Sequence, residues 1–306
     1  MRNYINLLYQ AEKLHRHNRQ GSYKTKERYF EAYKRFLRYV GDTYRLEKIA
    51  NISGKHLSSY IEHMQHKNYA TSTIKTDIAA IRFWHDKISD AKYTLPLNNE
   101  FSLERRRFGG TDRTWRAAEF DRMIEICKST GRRDYQACLI IARYTGLRLH
   151  EVMRIDTATA RLALRNEYIT IKGKGGKFRD VPINEIIRSE LEQSLRLASP
   201  GHKLFVPETK HTHIAKTELQ NFINTHRKSV QDPGSTRPMT FHGLRHTCAV
   251  DWYKALVDEG KSEYQARMQV SNWLGHERDD VTRIYLASIL NEDMQDSNRE
   301  GGDDYV

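Results

Sequence analysis

Along the first hundred positions, apolar residues recur every three or four places between polar runs, a spacing that predicts helices throughout. In SYKTKERYFEAYKRFLRYVG, Tyr29, Tyr33, Phe36 and Tyr39 share one face, Ser22 is a candidate cap and Gly41 a candidate stop. SGKHLSSYIEHMQHKN and TSTIKTDIAAIRFWHDKI repeat the pattern, each opening at Ser or Thr, and an earlier helix is predicted across Asn3 to Arg19. Residues 1–98 thus read as a compact domain of four or five helices. LPLNNEFSLERRRFGGTDRTW follows, with Pro96, three consecutive arginines and two glycines, and reads as an exposed linker over 99–116.

A second domain, 117–290, opens with helices at RAAEFDRMIEICKSTG and RDYQACLIIARYTG. The period then changes. Tyr168 to Ile171 favour strand, GKGG is a turn and FRDVPI a return strand, which predicts a β-hairpin. Helices resume at INEIIRSELEQSLRLA, TELQNFINTHRKSV and MTFHGLRHTCAVDWYKALVDEG, and a last pair surrounds NWLGHERDDVTRIYLAS. There Gly275 fits a helix end and Asp279 or Asp280 a cap for a helix from Val281 to Leu290. The fold class expected is mainly α with a small β-sheet, followed by an acidic tail at 291–306.

Composition narrows the class of partner. With 38% hydrophobic and 29% charged residues among 306, the chain reads as a soluble two-domain protein. No run approaches the roughly 18 apolar residues of a membrane span, and the N-terminus lacks a signal peptide's apolar region. A cytoplasmic, nucleoid-associated location is expected, with no membrane partner. Cys127, Cys138 and Cys248 are scattered and read as reduced thiols rather than a disulfide frame or zinc site. The net charge of +12 is uneven: residues 1–116 carry 23 Lys and Arg against 12 Asp and Glu, and 291–306 carry 1 against 6. Two basic regions and an acidic tail point to a polyanion, nucleic acid before membrane. Candidate DNA contacts are Lys24, Lys26, Arg28 and Lys75 on the first helices, and Arg105, Arg106 and Arg107 in the linker. The linker arginines read equally as solvated charge.

Four segments carry more polar chemistry than packing requires. In YTGLRLHEVMRI, Arg148 and Glu151 are three apart, which also suits a simple ion pair. Lys174 lies between Gly173 and Gly175 at the hairpin tip, where a lysine is commonly just solvated. In FHGLRHTCAV, His242, Arg245 and His246 fall within five positions, and the two histidines have metal-ligand spacing without a completing carboxylate. His276 precedes Tyr285 by nine positions, so one straight helix would place them on opposite faces and a break between them lets them converge. Taken alone, Tyr285, one of 17 tyrosines, reads as core filling.

Read in order, TGLRLHE, KGKGGK, HGLRH, and LGH followed by a tyrosine resemble the catalytic signature of the tyrosine recombinases, or phage integrases. TKERYFEAYKRFLRYV and TSTIKTDIAAIRFW are similar to that family's helical core-binding domain, so the resemblance spans about residues 22–290. It implies a site-specific recombinase with Tyr285 as nucleophile, Arg148, Lys174, His242, Arg245 and His276 as activating residues, and Glu151 and His246 in support. It also implies a catalytic domain of the DNA breaking-rejoining type, a homotetramer around DNA with short inverted core sites, and an accessory directionality factor. Gly243 stands where many members have Asp, Cys248 replaces an apolar or aromatic residue, and RIDTATARLA lacks the aromatic and acidic residues often found there.

The chemistry suits these residue types. Arginine forks stabilise the extra negative charge of a phosphoryl transition state. Tyrosine, with an ordinary pKa near about 10, needs a proton acceptor and a positive field. A hairpin lysine can protonate the leaving 5′ oxygen. With arginines neutralising charge and the phosphotyrosine conserving the bond's energy, neither a metal nor a nucleotide cofactor is expected. The tail fits either an exchange element between subunits or a disordered end. The sequence also admits two rival readings: a type IB topoisomerase-like DNA-relaxing enzyme and a non-catalytic DNA-binding relative.

Overall fold

The computed structural model describes residues 2–21, 23–101, 103, 111–173, 176–275, 282, 285 and 286. The chain separates into two compact units, Met1–Arg107 and Phe108–Val306. Among the described residues no helix is long and apolar enough to cross a membrane.

The first unit is built from α1 (Arg2–His17), α2 (Tyr23–Thr43), α3 (Gly54–His66) and α4 (Thr71–His85). The three-to-four spacing puts Tyr33, Phe36, Leu37 and Val40 of α2 wholly inside, against Leu7 of α1, Leu57 of α3 and Trp84 of α4. Each such large side chain stabilises by roughly 1.5–3 kcal/mol when fully buried. One charge lies in this core: Asp77 is held by the Tyr60 hydroxyl at 3.1 Å and by Arg35 at 2.7 Å, which ties α2, α3 and α4 together. Gly41 does not end α2, which runs on to Thr43. A Cβ there would come within 3.1 Å of the Tyr4 backbone, so this glycine permits α1 to approach rather than stopping a helix. Ser53 precedes α3 as expected, whereas α4 starts after Ala70 with no side-chain cap. The cap expected at Ser22 lies outside the described residues.

The second unit contains α5 (Ala117–Ser129), α6 (Arg133–Thr145), α7 (Leu149–Val152), α8 (Thr157–Asn166), β1 (Tyr168–Lys172), β2 (Phe178–Pro182), α9 (Glu185–Leu197), α10 (Thr212–Val230), α11 (Phe241–Asp258) and α12 (Glu263–Leu274). The strands pair antiparallel, with Ile169 opposite Val181 and Ile171 opposite Arg179. Among the described residues the protein is therefore mainly helical with one two-stranded sheet. α6 carries a nearly unbroken buried face from Tyr135 to Thr145 and packs against α5, α9 and α11. Helix α8, over the segment without the usual aromatic and acidic residues, had no counterpart in the periodicity reading. Asp156 caps it by accepting from the Thr159 N–H at 2.7 Å, and Ala160 and Ala163 pack inward, so small residues do the packing there. α10 begins at Thr212, five residues before the predicted start at Thr217. The segment Arg113–Trp115 crosses α11 so closely that a Cβ on Gly243 would collide with the Arg113 carbonyl oxygen, which accounts for glycine within HGLRH.

Candidate active site

Two left-handed glycines create the site's corner. Gly146, at φ 63°, ends α6, and Gly275, at φ 67°, ends α12. After Gly146 the chain turns through Leu147 and places Arg148 at the start of α7. Glu151 accepts from the Arg148 backbone N–H at 2.8 Å and from Arg148 Nη1 at 3.1 Å. The ion pair that the spacing allowed therefore forms, with the Arg148 side chain still 31% exposed.

α11 contributes His242, Arg245 and His246. Arg245 is 1% exposed, and its Nη1 and Nη2 donate to the carbonyls of Gly146 at 2.6 Å and Leu274 at 2.5 Å. Its fork thus holds both glycine corners together. Burial, opposed by Tyr285 and Glu151 and aided by the charge of Arg148, brings the guanidinium pKa down to about 10, so it remains a cation at neutral pH.

Tyr285 fills the space over these residues. Its ring is 7% exposed among Ala249, Leu256, Val270 and Leu274, lies 4.3 Å from the His246 ring and has the Arg245 guanidinium 5.4 Å from its centroid. Its hydroxyl lies 3.3 Å from His242 Nε2. His242 keeps one side in solvent, but desolvation by the packing behind it, followed by the charges of Arg245, Arg148 and Arg113, holds its pKa down at about 4. Burial, followed by His242, Arg113 and Arg245, pushes His246 down to about 3. Both rings are neutral at pH 7, and a neutral His242 accepts a proton. His242 and His246 meet edge to face at 5.2 Å, and among the described residues no group of three His, Cys, Asp or Glu gathers as a metal site would require.

The structure brings Arg148, Glu151, His242, Arg245, His246 and Tyr285 into one neighbourhood. Lys174, His276, the candidate caps Asp279 and Asp280, Arg105, Arg106, Arg107 and the tail lie outside the described residues. In the first unit, Lys24, Arg28 and Lys75 line a common groove of about 550 Å³ between α2 and α4, while Lys26 is absent from its lining. The motif reading missed Arg179. It is 10% exposed and donates to both Glu151 oxygens, at 3.1 and 2.8 Å, and to the Trp273 carbonyl at 3.0 Å. The signal was available, because strand alternation puts Arg179 on the face of buried Val181, where a cation requires a partner.

Residues 113–292 match the sequence profile described as "Phage integrase family", and residues 8–95 match "Phage integrase, N-terminal SAM-like domain". The chain belongs to the phage integrase family. Among relatives, it is 23% identical over 280 residues to tyrosine recombinase XerD of Halalkalibacterium halodurans, covering 86% of this chain and 87% of that protein. A segment of 165 residues is 31% identical to y4rC of Sinorhizobium fredii, which is 53% of this chain and 47% of that one. The fold is similar to that of a lambda integrase dimer bound to a COC′ core site, with a TM-score of 0.67 at 14% identity over 93% of this chain and 94% of that one. The first integrase-family match contains every motif segment of the second unit, and the N-terminal match contains the groove formed by α2 and α4.

Proposed function

We propose that this chain is a site-specific DNA recombinase that cuts and rejoins strands through a 3′-phosphotyrosyl link to Tyr285, in integration or excision of a mobile element or phage. The observation that carries this reading is the Tyr285 hydroxyl 3.3 Å from His242 Nε2, with His242 neutral and Arg245 beside the ring. In the proposed step the Tyr285 oxygen attacks phosphorus and its proton passes to His242. The P–O5′ bond breaks, and the 5′ oxygen takes a proton from Lys174. Arg148 donates to the nonbridging oxygens, His276 adds a hydrogen bond, and Arg245 supplies fixed positive charge; loss of one such preorganised donor typically costs about 3–4 kcal/mol of barrier. Religation reverses the step, with the 5′ hydroxyl of a second strand as nucleophile.

Residues 1–98 and the linker 99–116 would grip double-stranded core-site DNA, and 117–290 would carry the chemistry. The names of the relatives support DNA as substrate: XerD is a tyrosine recombinase and the lambda integrase neighbour holds a core site. Assembly as a homotetramer on short inverted sites, control by a directionality factor and a nucleoid location in the cytoplasm belong to the same proposal. The decisive experiment captures nicked suicide duplexes from a randomised pool as SDS-resistant adducts. Wild-type protein is expected to yield adducts and Tyr285→Phe none; no adduct from the wild type sinks the proposal. Plasmids carrying two captured sites should then yield recombinants, whereas relaxation alone would identify a topoisomerase.

A further inference from the structure

Of the two arginines described at the motif positions, Arg148 rather than Arg245 is placed to meet a phosphate, being nearly a third exposed, yet it neighbours a carboxylate that competes for it. Glu151 is 1% exposed at its side chain, and a carboxylate so buried requires compensation. It receives four donors: the Arg148 backbone N–H, Arg148 Nη1, and Arg179 Nη1 and Nη2. The two-pronged fork comes from Arg179, whose third donor, Nε, goes to the Trp273 carbonyl. Arg148 uses only Nη1 on Glu151. This division of labour leaves one arginine facing inward and the other turned outward.

We propose that Arg179 is a positioning residue for DNA cleavage, whose fork on Glu151 prevents that carboxylate from drawing Arg148 away from the scissile phosphate. The proposal rests on the reading in which Arg148 contacts that phosphate. Without Arg179, Arg148 is the nearest remaining cation for Glu151, and its guanidinium turns inward to form the bidentate pair. A phosphate must then compete with an internal carboxylate for the same fork. The depth of the existing compensation agrees: hydrogen bonds and charge from Arg179 and Arg148 overcome burial and hold the Glu151 pKa at about 2.

Arg179 also links three elements. It leaves β2, reaches α7 through Glu151, and crosses the end of α12, where a Cβ on Gly275 would meet its Cδ at 2.8 Å. The chain that continues from Gly275 leads to His276, and the strand that carries Arg179 follows the Lys174 turn. One side chain therefore sets the relation between the first arginine motif, the hairpin and the last motif before Tyr285.

The test uses full-length protein and the nicked duplexes captured by the wild type, with single-turnover adduct formation as readout. Arg179→Met is expected to slow cleavage about 10²-fold, the size typical of misplacing a catalytic group by an ångström. Glu151→Gln/Arg179→Met is expected to recover to within about threefold of Glu151→Gln alone, because a neutral amide no longer competes for Arg148. A methylphosphonate at the scissile position removes the negative charge that Arg148 meets, so the Arg179→Met defect should shrink there, in parallel with that of Arg148→Ala. A purely structural role would leave the defect equal in both Glu151 backgrounds and on both substrates, and that result overturns the proposal. Cleavage at the wild-type rate by folded Arg179→Met also overturns it. Should Arg179→Met fail to fold, Arg179→Lys serves instead: a loss erased by Glu151→Gln supports the role and an unchanged rate refutes it. Failure of the wild type to form any adduct is a separate outcome, which removes the recombinase reading itself.

Discussion

The Tyr285 ring packs against the apolar sides of α11 and α12 while its hydroxyl points to His242, so core filling and the proposed nucleophile describe two ends of one side chain. The same burial determines the protonation of its neighbours. His242, at a pKa of about 4, is already a base at pH 6, so the cleavage rate of free enzyme should lack the acid limb near 6.5 of an ordinary histidine. His242→Gln is expected to lower single-turnover cleavage about 10²- to 10⁴-fold with little change in duplex affinity by gel shift. His246 affects stability more directly, being 3% exposed with its pKa pushed to about 3. A depressed folded-state pKa favours the unfolded chain as pH falls below the ordinary value, because only the unfolded imidazole takes up a proton there. The stability is complete above pH 6.5 and declines toward pH 3. Between pH 7.5 and 5.0 this group alone should remove about 2 kcal/mol. Urea unfolding of wild type and His246→Gln at both values checks it: the variant should lose correspondingly less on acidification, and equal losses would contradict the assignment.

At the level of elements, the ends of α6 and α12 matter more than their lengths. Gly146 needs its left-handed φ and also sits where a Cβ would meet Leu274 Cδ2 at 2.8 Å, while its carbonyl receives Arg245. Gly131 has a similar φ of 66° but open space around it. Gly146→Ala should therefore cost about 2–4 kcal/mol, strain and clash together, and reduce cleavage, whereas Gly131→Ala should cost about 1 kcal/mol and leave cleavage intact. Comparable losses in urea midpoint would show that φ alone matters. The helix end at Gly275 was legible in the sequence because a left-handed cap leaves a residue-type signature. Gly41 was misread because a glycine allowing close approach of α1 looks the same in sequence as one that stops α2. Helix α8 was not anticipated because alanines and a threonine form its inner face, and these give little hydrophobic contrast. The motifs exposed Arg148, His242, Arg245 and Tyr285 through their order along the chain. Arg179 required the fold, since its partners Glu151 and Trp273 lie 28 and 94 residues away.

At the scale of the whole molecule, a net charge of +12 makes attraction to DNA general, but it does not say which cations touch phosphate. The groove between α2 and α4 narrows the choice. Lys24, Arg28 and Lys75 line it with Thr25, Ser72, Thr73 and Thr76, a mixture of cations and hydroxyls suited to phosphate oxygens. Lys26, two residues from Lys24, lies off that lining, as helical geometry dictates for an i,i+2 pair. If each groove cation displaces one counterion, its removal should reduce the slope of log affinity against log salt by about 0.9. Lys24→Ala, Arg28→Ala and Lys75→Ala together should then lower the slope by about 2.7, whereas Lys26→Ala should change it much less. Fluorescence anisotropy with a captured duplex, titrated from low to moderate salt, measures both. Equal effects from Lys26 and the groove residues would mean that overall charge, rather than this groove, holds the duplex. A selective loss would fix the strand's path over the N-terminal helices independently of the chemistry proposed at Tyr285.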